Sequence, residues 1–361
     1  MTHVPADPPG PSAPETTALA PLSERAVAPR ELDLPTAGEG LRWRRLSRAD
    51  LPALVELAHA AAVVDHANWL VSLEELIADF ERASFSPELD TAVAVDAQGR
   101  IVAYGEAAMS RAQVTLVRVY LPGWVHPERR REGIGASLLA WQEGRGRQLL
   151  AASPARLPGW LITDAEERAV AHRALLDAAG FVPARWWLAM NRDLSDAIPD
   201  VPLGRGLRLA RFRAEDSEGV RLALNDSFRD HWASEPTTPE DWTSNTGLSS
   251  FRQELSCVVF GTLPDGSEEI AGALTVSVNE DEWQQLGFSF GYIEQLGVRR
   301  AWRGRGIAPA MLAHALRVFH EAGLERASLD VDVDSPTGAV GLYDRLGFTE
   351  RSRSLTQTKT F

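Results

Sequence analysis

The 361-residue sequence contains one cysteine, Cys257, and one lysine, Lys359. A lone cysteine excludes an internal disulfide and fits a reducing compartment. No run of about eighteen apolar residues occurs, so no membrane-spanning helix is expected. The first residues, MTHVPADPPGPSAPETT, lack the basic-then-apolar order of a secretory leader, and a cytoplasmic protein is expected. Positive charge is also scarce: 37 Lys and Arg stand against 50 Asp and Glu, a formal net charge of -13. Such a balance suits neither a nucleic-acid partner gripped through phosphates nor an anionic membrane surface. The remaining composition, 44% hydrophobic and 24% charged, is that of a globular protein.

Against that acidic background, RRAWRGRGIAP (299–309) gathers four arginines and two glycines between a strand-like and a helix-like stretch. A helix N-terminus offers unpaired N–H groups and about half a positive charge, so an anion, phosphate above all, is the expected guest. Gly304 and Gly306 would let it approach the backbone, and Arg303 and Arg305 could close on its oxygens. Two known phosphate loops fail here. The P-loop needs a lysine that is absent, and the dinucleotide fingerprint needs a third glycine where Pro309 stands.

The sequence repeats itself. LRWRRLSRAD (41–50) parallels LRLARFRAED (207–216), WVHPERRREGIGASLLA (124–140) parallels GVRRAWRGRGIAPAMLA (297–313), and LLDAAGF (175–181) parallels LYDRLGF (342–348). The offsets of 166, 173 and 167 residues, in constant order, are too long for a solenoid and indicate two copies of one domain. Residues 1–40 hold eight of the 22 prolines and show no apolar period, so a disordered tail is expected there. The domains are expected at 41–195 and 207–361, joined by a linker at 196–206. In the second copy the patterns give strands at 207–213, 254–263 and 268–279, a strand ending at Val298, and another at 327–333. Helices are expected at 215–227, from 308 to about 322, and over a short stretch ending at Gly347. The fold class is α/β (α+β), with a mixed, mostly antiparallel sheet flanked by helices in each domain.

The pattern Arg-x-x-Gly-x-Gly/Ala occurs twice, as Arg130, Gly133, Gly135 and as Arg303, Gly306, Ala308, each followed some forty residues later by the L-[LY]-D-x-x-G-F motif. This resembles the GNAT superfamily of acetyl-CoA-dependent N-acetyltransferases, and the pairing resembles its tandem, mycothiol-synthase-like members. The resemblance covers about residues 41–361. It implies that Leu296, Gly297 and Val298 hold the pantetheine arm of coenzyme A, with the pyrophosphate on Arg303, Gly304, Arg305, Gly306, Ile307 and Ala308. Ser335 stands where the family often has asparagine, and is expected to cap the short helix beside the cofactor arm. In the first copy the corresponding residues are Val125, Arg130, Arg131, Gly133 and Gly135, with Glu132 in place of Arg305. No metal is implied.

Acyl transfer to an amine requires a base for the ammonium proton and an acid for the departing thiolate. Tyr343 stands where the family places its acid. Glu294, four residues from Val298 and so expected on the same strand face, suits the base, with Glu280, Asp281 and Glu282 as rivals. The first copy has Leu176 opposite Tyr343 and Leu121 opposite Glu294, so it is expected to be non-catalytic, and residues 205–361 alone are expected to retain the chemistry if they fold. His231, Trp232 and Trp242 could line the acceptor pocket, and Asp330, Asp332 and Asp334 could favour a cationic acceptor. The expected partner is a small-molecule amine, with a protein amine left open. A monomer whose domains form a pseudo-dimer is expected. The alternative function is a non-catalytic acyl-CoA-binding or sensor protein.

Overall fold

The computed structural model describes residues 19–361 apart from Asn68, Pro336 and the side chain of Gln285. Its first half runs α1 (Leu22–Arg25), β1 (Arg42–Arg44), α2 (Leu51–Asp65), α3 (Leu73–Phe80), α4 (Pro87–Asp90), β2 (Thr91–Val95), β3 (Ile101–Glu106) and β4 (Ala108–Met109). It continues with β5 (Val117–Tyr120), β6 (Gly123–Val125), α5 (Ile134–Ala152), β7 (Gly159–Glu166), α6 (Val170–Ala178) and β8 (Val182–Asp193). The second half repeats the plan: β9 (Leu207–Arg211), α7 (Ser217–Phe228), α8 (Pro239–Gly247), β10 (Cys257–Thr262), β11 (Glu268–Ser277) and α9 (Asp281–Leu286). Then come β12 (Phe290–Val298), α10 (Ile307–Glu321), β13 (Arg326–Asp332), α11 (Ala339–Arg345) and β14 (Thr349–Thr360).

The local chemistry accounts for these elements. β10 and β11 are β-branched runs closed by Pro-Asp-Gly-Ser, with Gly266 at φ +88° and Asp265 accepting the Ser267 N–H. α10 carries Ile307, Met311, Leu312, Ala315 and Phe319 on its buried side. It stops at Gly323, whose φ of +80° lets Leu324 N–H reach back to the Phe319 carbonyl.

The order of the large sheet is β4-β5-β7-β14-β8-β13-β12-β11-β10-β9, while β1-β2-β3-β6 form a second sheet. The last strand of each half has crossed into the other. β8 of the first half lies between β13 and β14, pairing Trp187–Asp193 with Asp332–Arg326, and β14 lies between β7 and β8. The boundaries expected from the repeat, 41–195 and 207–361, describe the chain order but assign both crossing strands to the wrong half-sheet. The two halves share one sheet because their final strands are exchanged.

The expected tail also needs revision. Residues 1–18 lie outside the described residues. Residues 19–40 pack against the first half: Leu22 is fully buried, Leu32 and Leu34 cover a core that includes Leu138 and Trp141, and Arg25 donates to the Phe361 and Leu157 carbonyls. Burying Leu22 alone contributes roughly 1.5–3 kcal/mol, which proline content does not oppose.

Candidate active site

β12 and β13 are parallel and paired only from Phe290 to Tyr292 against Arg326 to Ser328. Beyond that they part and open a cleft of about 900 Å³. A bulge sets the geometry at the parting: Ile293 faces Val276 and Gln295 faces Thr275, leaving Glu294 with no partner on β11. A bulge re-aims its residue and resets alternation, so the expectation that Glu294 shares a face with Val298 by simple period two does not hold. Instead the bulge directs Glu294 to the junction of the cleft with a second cavity of about 530 Å³.

The cleft ends at the arginine-glycine turn. Gly304 and Gly306 both have φ +75°, and a Cβ built on either meets nothing within 4 Å. Among the described residues the N–H groups of Gly304, Arg305, Gly306, Ile307 and Ala308 have no hydrogen-bond acceptor. Arg303 is held by the Ser227 carbonyl at 2.8 Å, and the Arg305 guanidinium lies 4.5 Å from the Trp302 ring centroid. Leu296, Gly297 and Val298 line the wall above. Five free donors in an open, positively charged concavity fit a pyrophosphate, and the open wall fits an extended arm.

Ser277 Oγ donates to Glu294 Oε1 at 2.5 Å. Glu294 keeps contact with the cleft solvent but is walled by protein, and this burial, together with Glu75 and Asp330, raises its carboxyl above the ordinary range. Tyr343 lines the cleft from α11, with its ring edge-on to Phe348 at 5.7 Å. Burial pushes its phenol up to about 12, so it holds its proton at neutral pH. The exchanged strand β8 fixes α11, since Arg192 Nε donates to the Leu346 carbonyl at 2.7 Å.

The second cavity is walled by both halves. Trp69 and Glu75 from the first half face Trp242, Phe251, Glu282 and Asp330 from the second. The first-half wall is pinned where Leu70 N–H donates to Glu282 Oε1 at 2.9 Å and Asn279 donates to the Leu70 carbonyl at 3.0 Å. Burial, reinforced by Glu75 and Glu294, pushes Glu282 up to about 7. A cavity holding several desolvated carboxylates favours a cationic guest.

The first half retains the turn without the same opening. Arg131 adopts φ +69° where the second half has Gly304, and Gly133 has φ +79°. Arg130 is held by both oxygens of Asp65 at 2.7 Å, Arg129 pairs with Glu132, and the adjoining cavity is about 270 Å³. Leu121 and Leu176 are core residues. Val125 and Gly135 line this smaller cavity.

Several expectations are corrected. Trp232 lies on the shared sheet, its ring 5.3 Å from Trp160 and under the Arg185 guanidinium, away from the 530 Å³ cavity. His231 stacks on Trp187 and edges the large cleft instead. Their loop is drawn there because the Glu235 carboxylate accepts the N–H groups of Val114, Thr115 and Leu116. Glu280 and Asp281 are exposed outside both cavities, so of the three expected rivals only Glu282 lies inside, where Glu75 and Asp330 join it. Asp332 is buried and Asp334 pairs with Arg185, so of the three aspartates only Asp330 reaches the acceptor cavity. Ser335 does not cap α11, whose N-cap is Gly338; its hydroxyl pairs with Thr337 while still lining the cleft. Trp69, Glu75, Asn191, Ser277 and Arg351 are cavity residues that motif reading missed.

Residues 218–348 match the Acetyltransferase (GNAT) family. The chain is 33% identical over 234 residues to a mycothiol acetyltransferase of Salinispora arenicola, covering 63% of this chain and 69% of that protein. A mycothiol acetyltransferase of Nocardioides sp. is 24% identical over 308 residues, covering 83% and 92%. The fold matches a GCN5-related N-acetyltransferase from Sphaerobacter thermophilus at TM-score 0.69 and 27% identity, over 90% of this chain and 97% of that one. It also matches a tandem GNAT protein from the clavulanic acid biosynthesis pathway at TM-score 0.62 and 20% identity, over 89% and 98%. The chain belongs to the GNAT family of acetyltransferases. It is an acetyl-CoA-dependent N-acetyltransferase built from two GNAT domains in tandem.

Proposed function

We propose that the second half carries the reaction, acetylating the primary amine of a small molecule bound in the cavity between the halves. The observation that carries this reading is the place of Glu294, which lines both the cleft and the acceptor cavity and is hydrogen-bonded by Ser277. Acetyl-CoA supplies the acetyl group as a thioester. The free N–H groups from Gly304 to Ala308, with Arg303 and Arg305, would hold its pyrophosphate, and Leu296 to Val298 its pantetheine arm. Glu294 takes the ammonium proton first, and the freed amine then attacks the thioester carbon. As the carbon–sulfur bond breaks, the Tyr343 hydroxyl gives its proton to sulfur and regains one from the second N–H of the new C–N nitrogen.

Division of labour follows from the contrast between the halves. Both turns hold a paired arginine, Arg130 with Asp65 and Arg303 with Asp230. The first turn, however, has Glu132 where the second has Arg305, its cavity is smaller, and leucines occupy both proton-transfer positions. The first half therefore serves as scaffold and acceptor wall, with coenzyme A binding, if present at its turn, weaker than in the second. The similarity to mycothiol acetyltransferases makes their acceptor one amine to be compared with others. The test is steady-state turnover of the full chain across an amine panel. Glu294→Gln should lose most turnover while coenzyme A affinity is kept, and loss of affinity without loss of kcat would remove Glu294 from the base role.

A further inference from the structure

Two buried hydrogen-bond donors in the acceptor cavity lack partners among the described residues: Asn191 Nδ2 and Arg351 Nε. They come from different strands. Asn191 belongs to β8 and Arg351 continues β14, the two strands exchanged between the halves. Asn191 is only 7% exposed, and its backbone is paired to Ser328 on one side and Thr349 on the other. Its Oδ1 accepts the Ser328 hydroxyl at 2.8 Å, which orients the amide and leaves the N–H side without an acceptor. Buried polar groups are nearly always satisfied, so an unsatisfied donor on a cavity wall points to a group that arrives with the ligand.

We infer that Asn191 and Arg351 form the part of the acceptor cavity that receives an uncharged oxygen of the amine substrate, a hydroxyl or a carbonyl set apart from the reacting nitrogen. This rests on the reading of that cavity as the acceptor site. Both orphaned groups are donors, so the complementary atom is an acceptor. A carboxylate is a poor candidate. The cavity is lined by four carboxylates, Glu75, Glu282, Glu294 and Asp330, against the single guanidinium of Arg351, and a further negative charge would be repelled. The carboxylates suit the ammonium, and the two donors, of which Arg351 lies within electrostatic reach of Asp330 and Glu282, suit an oxygen. A plain alkylamine would satisfy the first and leave the second unpaired. The wall also carries Trp69 and Trp242, whose flat rings suit the face of a carbon skeleton beneath such hydroxyls. Amino alcohols, amino sugars and aminoacyl amides fit this description.

The test uses the full chain with acetyl-CoA and matched amines: 3-amino-1-propanol against butylamine, glucosamine against cyclohexylamine, and β-alaninamide against β-alanine. The quantity read is the ratio of kcat/KM within each pair. The wild type should favour the first member of each pair by about tenfold or more, in the first two pairs because losing the oxygen leaves buried donors unpaired, and in the third because the β-alanine carboxylate is repelled by the four acids. Asn191→Leu and Arg351→Met should each bring the first two ratios towards one. Should Asn191→Leu fail to fold, the Arg351→Met comparison carries the test, since it removes the other unpaired donor without adding a charge. A general packing defect would lower both members of a pair and leave the ratio unchanged. Wild-type ratios near one, or ratios unchanged in the variants, overturn the inference while the acceptor site stands. Absence of thiol release from acetyl-CoA with every amine overturns the site itself.

Discussion

Ser277 Oγ, on β11, donates to Glu294 Oε1 at 2.5 Å, and Glu294 is the residue that the β12 bulge leaves unpaired. The hydroxyl lowers the carboxyl's proton affinity while burial, Glu75 and Asp330 raise it, and the balance is a net rise. A base must be unprotonated to act, so kcat/KM should climb with pH through a value above the ordinary carboxylate range. Ser277→Ala removes the lowering contribution and should move that limb to higher pH, with activity recovered on the alkaline side. A pH–rate profile of the two proteins checks this, and an unmoved limb would separate Ser277 from the titrating group.

Gly306→Val should weaken coenzyme A binding by tenfold or more. The obstacle is the left-handed backbone and the space needed by the anion, since a Cβ there meets no protein atom within 4 Å. Gly304→Ala should be milder. The first half already carries Arg131 at the matching position with φ +69°, so the fold accepts a side chain there. Isothermal titration of both variants against coenzyme A ranks them, and the reverse ranking would place the anion elsewhere on the turn.

Residues 205–361 alone should not form a stable monomer. Without β8 they lose the strand that pairs with both β13 and β14, and the Arg192 contact that holds α11. An isolated edge of this kind recruits another chain or aggregates. Co-expression with residues 1–193 should restore a folded complex, read by size-exclusion chromatography. A monomeric, active fragment would show that β14 can return to β13 and that the exchange is dispensable.

What the sequence made legible was local. The repeat, the turn and the strand and helix order of the second half follow from periodicity and from Gly306, Ala308 and Leu342–Phe348. The strand exchange does not, because β8 and β14 have the same alternating pattern whichever half-sheet they enter. Glu294 was found for a reason that the bulge invalidates, since alternation is blind to an extra residue. Trp69 and Glu75 stand more than 200 residues before Glu294 and meet it only through the packing of the two halves. His231 and Trp232 were drawn elsewhere by Glu235, whose three backbone partners lie in the first half.

Glu282 should make stability fall with rising pH. Burial pushes its carboxyl up to about 7, against roughly 4.3 in an unfolded chain. The folded state therefore holds the proton more tightly, and its contribution is full below the unfolded value and lost as pH rises through about 7. Glu282→Gln keeps an oxygen for the Leu70 N–H and removes the titration. Relative to wild type, the variant should gain on the order of 1 kcal/mol or more between pH 5 and pH 8, measured by urea denaturation. Parallel curves for the two proteins would mean that the carboxyl is not desolvated.

The central claim is that proton transfer in the second half drives the reaction, and Tyr343→Phe addresses it most directly. The substitution keeps the ring against Phe348 and deletes only the hydroxyl. The decisive measurement is kcat under chemistry-limited conditions together with coenzyme A affinity, on the same folded preparation of the full chain. The account predicts a fall in kcat of roughly 10²–10⁴-fold with coenzyme A affinity retained. Wild-type kcat in Tyr343→Phe would contradict it.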